Sequence, residues 1–251
     1  SEGEQVIVTA RKPKTIQHFA KKLSSDSLMP EIRRDEEGTI DATVNAAIEK
    51  FGKIDVYQQA GYCLRGAVEE CTEEEIYAEF NTNFFGAVRM IQTVLPHMRK
   101  AGIGAIINYS SIAALDTSAG SVFTVQPSVL LKIVLRIKKE VEPLGIKVMV
   151  VEPGPFKTDF FDRSIDINPN RIAAYDDTAN KRKVKISDLS KVDINGATWS
   201  GLQIITDIIQ RPDPPHHILL GSMAVEIGEK FVKDRAEEIQ KWKEASESLD
   251  A

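Results

Sequence analysis

Gly104-Ala105-Ile106-Ile107-Asn108-Tyr109-Ser110-Ser111 is the stretch on which the fold turns. Its apolar run, Ala105 to Asn108, follows Gly102 and Gly104, the punctuation that opens a buried strand. Residues from about Pro127 to Leu144 then carry helical periodicity, and Lys147-Val148-Met149-Val150-Val151 is a second apolar run. Continuous rather than alternating hydrophobicity belongs to strands covered on both faces, and a helix joining two such strands makes them parallel. Upstream, Thr72 to Lys100 reads as one long amphipathic helix with Glu73, Glu74 and Glu75 in its electropositive first turn. Before it come the strand Ile54-Asp55-Val56-Tyr57, ending at Gly61, and a helix from about Ile40 to Phe51 stopped by Gly52.

The start of the chain offers Val6-Ile7-Val8-Thr9 as a buried strand and a weak strand near Glu31-Ile32. Between them, Ile16, Phe19, Ala20 and Leu23 keep helical spacing over Thr15 to Ser24. Downstream, Ile218-Leu219-Leu220 is a short strand, and Ala224 to Ser246 is a helix whose Glu/Lys neighbours at i,i+4 favour a solvated surface. Phe160 to Asp193 is long, polar and without periodicity. The alternation predicts an α/β fold, a doubly wound parallel sheet, as one domain over residues 1–251. A substrate lid is expected at about 160–195, beyond a strand's C-terminal end.

Composition narrows the function. With 251 residues and 42% hydrophobic content the chain can bury a sizeable core. A net charge of -5 excludes the basic excess of a nucleic-acid binder. No apolar run approaches the roughly 18 residues of a membrane span, and no signal peptide opens the chain. Cys63 and Cys71 lack metal-ligand spacing, and His216-His217 leads into a strand, so no metal site is expected and a cytoplasmic location is.

Five segments, in order and over nearly the whole chain, together resemble the short-chain dehydrogenase/reductase family. They are Thr9-Ala10-Arg11-Lys12-Pro13, Asn81-Thr82-Asn83-Phe84-Phe85-Gly86, Asn108-Tyr109-Ser110-Ser111, Glu140 to Val148, and Glu152-Pro153-Gly154-Pro155-Phe156-Lys157-Thr158. The resemblance implies a Rossmann-like, nicotinamide-dependent oxidoreductase of a small carbonyl or alcohol. Arg11 would meet the 2′-phosphate of NADP, favouring it over NAD. Asp35 would contact adenine; Gln59, Ala60, Gly61 and Asn83 would line the cofactor; Pro153, Gly154, Phe156 and Thr158 would embrace the nicotinamide. Ser111 would hold the substrate oxygen and Asn83 order a proton relay. The same residues have plainer readings, Ser111 capping a loop and Asn83 satisfying a helix kink. By the same analogy, Thr72–Lys100 and Pro127–Leu144 would build a homodimer or homotetramer. Phe160, Phe161, Ile165, Ile167, Ile172 and Tyr175 imply a partly apolar substrate.

Four departures qualify this. The chain starts at the approach to the family's second strand, so the first strand-helix unit and its glycine-rich turn are expected to be lacking. Gln58-Gln59-Ala60-Gly61 stands where the family has Asn-Asn-Ala-Gly, and Asp35 sits in a compressed segment. The Tyr-x-x-x-Lys motif is lost: Thr124 holds the position of the missing Tyr, thirteen residues beyond Ser111, and Ser128 that of the missing Lys. The genetic code offers a cause. Codons for Phe123 to Ser128, read one base earlier, can spell TAC-AGT-GCA-RCC-AAG, which is Tyr-Ser-Ala-Thr/Ala-Lys. CAACAA for Gln58-Gln59 lies within GTCAACAATGCT, Val-Asn-Asn-Ala. The expectation is an oxidoreductase in truncated or frameshifted form; the alternative is an inactive scaffold or binding protein. A strand order in which the absent first strand is central counts against a selected scaffold, because two strands lose their common neighbour.

Overall fold

The computed structural model describes residues 7–16, 28, 30–33, 36–59, 61–115, 125–156, 165–167, 170–181 and 197–250. The elements used below are α1 (Glu37–Phe51), β1 (Val56–Gln59), β2 (Cys63–Arg65), α2 (Glu73–Phe80), α3 (Gly86–Ala101), β3 (Gly104–Tyr109), α4 (Val125–Val141), β4 (Ile146–Pro153), β5 (Ile165–Ile167), α5 (Ala197–Gln210), β6 (His217–Leu220) and α6 (Ser222–Glu247).

Strand alternation assigns the core to two layers. Ile106, Val148 and Val150 point into one apolar cluster with Ile40 and Val44 of α1, Met90, Ile91, Val94 and Met98 of α3, and Val134 and Val141 of α4. Their neighbours Ala105, Ile107, Met149 and Val151 point into a second cluster with Ile205 and Ile209 of α5. Helices therefore cover both faces of a parallel sheet with order β1-β3-β4-β6, the doubly wound architecture read from the sequence. Fully buried strands explain the unbroken apolar runs of β3 and β4.

Local signals set the boundaries. Gly52, at φ 75°, ends α1 in the left-handed conformation that suits glycine, its N–H on the Ile48 carbonyl. A reciprocal cap opens α2: Glu75 N–H donates to Thr72 Oγ1 at 3.2 Å, and Thr72 N–H donates to Glu75 Oε2 at 2.9 Å. The long helix expected over Thr72–Lys100 is continuous except for one wide turn, Asn81–Phe85, with π-type hydrogen bonding from Gly86 N–H to the Asn81 carbonyl.

Several expectations need correction. Of the strand expected over Val6–Thr9, Val6 lies outside the described residues and Ile7–Thr9 do not run as a buried strand: Ile7 and Ala10 make single parallel bridges to Leu28 and Glu31, and Ile7 and Val8 are only half-buried. Among the described residues no ladder joins this pair to β1, whose Val56 stays 45% exposed, so a continuous strand has no neighbour on that side. β2 and β5 form a separate two-stranded parallel sheet, and α5 is a full helix; the sequence reading had none of these three. Among the described residues, no helix is long and apolar enough to cross a membrane.

Candidate active site

In an open parallel sheet, ligands bind beyond the C-terminal ends of the strands, and most of the expected site residues within the described structure lie there. Gln59 ends β1, Ser110 and Ser111 follow β3, and Pro153 ends β4. Ala60, Asp35, Thr124 and Thr158 lie outside the described residues, and Gln59 and Ser128 are described in backbone only.

Asn83 sits in the wide turn between α2 and α3, where an extra residue per turn redirects the side chain. Its carboxamide brackets one residue of the β1 exit. Oδ1 accepts from Tyr62 N–H at 3.2 Å, and Nδ2 donates to the Tyr62 carbonyl at 2.6 Å. Glycine is required next door, since a Cβ on Gly61 would stand 2.7 Å from Asn83 Oδ1. Ser111 is half-buried and caps the short turn Ile112–Ala114, its Oγ accepting from Ala113 N–H at 3.1 Å. Asn83 thus tethers β1 to the helix, and Ser111 presents a hydroxyl at the mouth of β3.

Between these two, the ends of β3 and β4 hold buried polar atoms with no hydrogen-bond partner among the described residues: both carboxamide atoms of Asn108, Tyr109 Oη, Ser110 Oγ and Glu152 Oε1. Strand alternation puts Asn108, Ser110 and Glu152 on the face covered by α4, while Tyr109 turns to the α5 face. Burial pushes the Tyr109 phenol above its ordinary pKa. The other Glu152 oxygen, Oε2, lies 3.1 Å from His217 Nδ1. Beside it on the same layer, the buried Lys138 ammonium meets His216 Nδ1 and stands 3.7 Å from Glu142.

Glu70, absent from the sequence reading, is an anchor. Although acidic, it is buried, and its carboxylate accepts from Ile172 N–H at 2.7 Å, Ala67 N–H at 2.7 Å and Asn180 Nδ2 at 2.8 Å. The Ile172 and Ala67 amides, then Asn180, hold its pKa below the usual carboxylate value. Tyr175 Oη donates to Glu69 at 2.6 Å, and that contact raises the phenol's pKa. Together with the β2–β5 pairing, these bonds fasten residues 165–167 and 170–181 to the segment after β1. No local pattern marks Glu70, because its distant partners lie about a hundred residues along the chain.

Several residues expected to bind a dinucleotide lie at this end of the sheet. Arg11 is exposed, with its guanidinium 5.9 Å from the Tyr62 ring, a basic group beside the β1 exit. Gly154 N–H is held by the Leu220 carbonyl at 2.9 Å, leaving Pro153 and Phe156 beside it at the sheet's rim. For the pyrophosphate, no glycine-rich turn before a helix N-terminus occurs among the described residues. Nor does any cluster there offer three metal-ligating side chains.

This doubly wound sheet is an oxidoreductase scaffold of known kind: the chain belongs to the short chain dehydrogenase family, whose model matches residues 1–167. It is 28% identical over 249 residues to the oxidoreductase BOA17 of Botryotinia fuckeliana, covering 97% of this chain and 89% of that protein. It is 36% identical over 189 residues to a 3-ketodihydrosphingosine reductase of Bacteroides thetaiotaomicron, covering 72% of this chain and 67% of that one. A short-chain dehydrogenase from Streptomyces avermitilis superposes with a TM-score of 0.86 at 25% identity, over 98% of this chain and 91% of its own.

Proposed function

We propose that this chain derives from an NADP(H)-dependent oxidoreductase of carbonyl or alcohol substrates, recorded with compensated frameshifts near Gln58 and between Phe123 and Lys132. The observation that carries the reading is the concentration of unused polar atoms at the ends of β3 and β4. Each buried unsatisfied group costs about 1–3 kcal/mol. A fold keeps several together where a ligand or partner side chains engage them. Asn108, Ser110 and Glu152 face α4, the helix that carries position 128 and follows position 124.

In this reading a bound nicotinamide supplies the hydride. The chain's own residues bind and orient: Ser111 donates its hydroxyl to the substrate oxygen, Asn83 fixes the β1 exit, and Arg11 meets a 2′-phosphate. The segment at about 160–195 covers the substrate as a lid, with Ile172 and Tyr175 supplying apolar contact. A carbonyl substrate agrees with the name of the Bacteroides relative, a ketone reductase.

As written, the chain lacks the proton donor. Tyr109 is no substitute, since its phenol is buried on the opposite face with a raised pKa. That favours a second reading, an inactive relative that retains the fold for binding. Sequencing the gene through the codons for residues 50–140 separates the two. A frame restoring Asn-Asn near position 58 and Tyr and Lys at 124 and 128 upholds the first reading, and the corrected protein oxidises NADPH against a carbonyl panel. Codons confirming every residue as written sink it and leave the second.

A further inference from the structure

The corner where α4 meets the edge of the sheet holds charged groups that the oxidoreductase reading does not use. Val134, Lys138 and Val141 share one buried face of α4, and Lys138 is only 5% exposed. An ammonium has three protons to donate and no acceptor. Among the described residues, one of these protons reaches His216 Nδ1, and the next acceptor is Glu142 Oε1 at 3.7 Å, on an exposed side chain. A ring nitrogen that accepts from an ammonium carries no proton, so the contact assigns His216 as the neutral ring with its hydrogen on Nε2. The next residue meets the opposite charge. His217 Nδ1 lies 3.1 Å from Glu152 Oε2, and Glu152 is 2% exposed. Adjacent imidazoles at the start of β6 therefore face a buried cation and a buried carboxylate.

We propose that Lys138 and His216 form a proton-operated clasp between α4 and β6. Histidine changes charge between about pH 5 and 8, so mild acid is the trigger. A proton on His216 removes the acceptor and sets a second cation against an ammonium that has little water to turn to. The same acidification makes His217 and Glu152 an ion pair, which keeps the strand on the sheet. Other charges stand apart. Lys147 of β4 is on the α5 face, bonded to the carbonyls of Ile209, Gln210 and Arg211, and α6 meets β6 at Leu219 through Gly228. The clasp therefore opens locally. The His216 end of β6 and the last turns of α4 loosen, while Gly154 N–H stays on the Leu220 carbonyl at the other end. Because α4 also covers the polar ends of β3 and β4, the seating of that helix comes to depend on pH.

Hydrogen exchange on the full chain, read by NMR and divided by the intrinsic rate at each pH, tests this. Between about pH 7.5 and about pH 5.5, exchange at the His217 and Ile218 amides is expected to rise about tenfold, while Gly154 changes less than about twofold. Lys138→Met keeps the stem and removes the cation, and His216→Gln keeps an acceptor that does not titrate. Each should abolish the acid response, and the second carries the test if the first does not fold. An unchanged chain indifferent to pH, a response that survives in either variant, or His217, Ile218 and Gly154 accelerating together would each overturn the proposal.

Discussion

Two residues beside the β1 exit respond to the same crowding in different ways. Gly61 is pressed against the Asn83 carboxamide, so Gly61→Ala must displace an amide already bonded to both backbone atoms of Tyr62. Urea unfolding is expected to register a loss of about 1–3 kcal/mol, the range for overpacking a tight site. Cys63, two residues on, has its pKa pushed up to about 11, first by burial and then by the Glu79 carboxylate. At pH 8 almost none of it is thiolate, so iodoacetamide followed by mass spectrometry should label Cys71 well before Cys63. The sign for stability follows from linkage. The neutral thiol is favoured in the fold, so its contribution is complete below the thiol's ordinary pKa of 9.0 and is lost as pH rises through about 11. Equal labelling of the two thiols at pH 8 would contradict the burial argument.

Among the elements, two side chains join segments that are remote in sequence. Lys147 of β4 sends its ammonium to the carbonyls of Ile209, Gln210 and Arg211 at 3.0, 3.3 and 2.7 Å, capping α5 with a cation at its negative end. Lys147→Met keeps the stem and removes the charge, and a loss of about 1–2 kcal/mol in thermal or urea unfolding is expected. Glu70 anchors residues 170–181 through backbone and side-chain donors. Glu70→Gln sets an amide NH₂ against those donors, and hydrogen exchange should accelerate over 170–181 while β3 and β4 keep their rates. Acid should do the same: the depressed pKa means the anchor is intact above the ordinary carboxylate value of 4.5 and lets go only as pH falls through the lower value it has in the fold. Exchange in that segment indifferent to both changes would remove Glu70 from the role. These elements also divide what the sequence made legible from what it hid. α1, α3, α4, β3 and β4 announced themselves because burial on defined faces imposes period and length. α5 did not, because Ile204, Ile205, Thr206, Ile208 and Ile209 read as strand-formers, and only packing on Ala105 and Ile107 makes them helical. β2 and β5, three residues each, gain their stability from one another across a hundred positions, which no local pattern carries. Motif spacing singled out Asn83 and Ser111, which lie beside the ends of β1 and β3, but no local pattern singles out Glu70, whose burial depends on distant donors.

Across the whole molecule, the sheet is unevenly supported. β3 and β4 are flanked by strands on both sides and by helices on both faces, whereas β1 is hydrogen-bonded on one side only among the described residues. The bridged pair at 7–10 and 28–31 is connected to the rest through α1: Ile32 buries in the first cluster, and Thr43 Oγ1 reaches the Glu31 carbonyl at 3.4 Å. Two isolated bridges cannot share the cooperativity of a continuous ladder, so this corner should open while the four-stranded sheet stays closed. Native-state hydrogen exchange is expected to show the amides of Val8 and Ile32, which bond the Leu28 and Ala10 carbonyls, exchanging at least about 100-fold faster than those of Ile106 to Asn108 and Val148 to Val150. The faster set should also be insensitive to denaturant concentrations that begin to mobilise the slower one. If both sets exchange together with the same denaturant dependence, the amino-terminal segments belong to one cooperative unit with the sheet. Support from outside the described residues would then have to bridge them to β1.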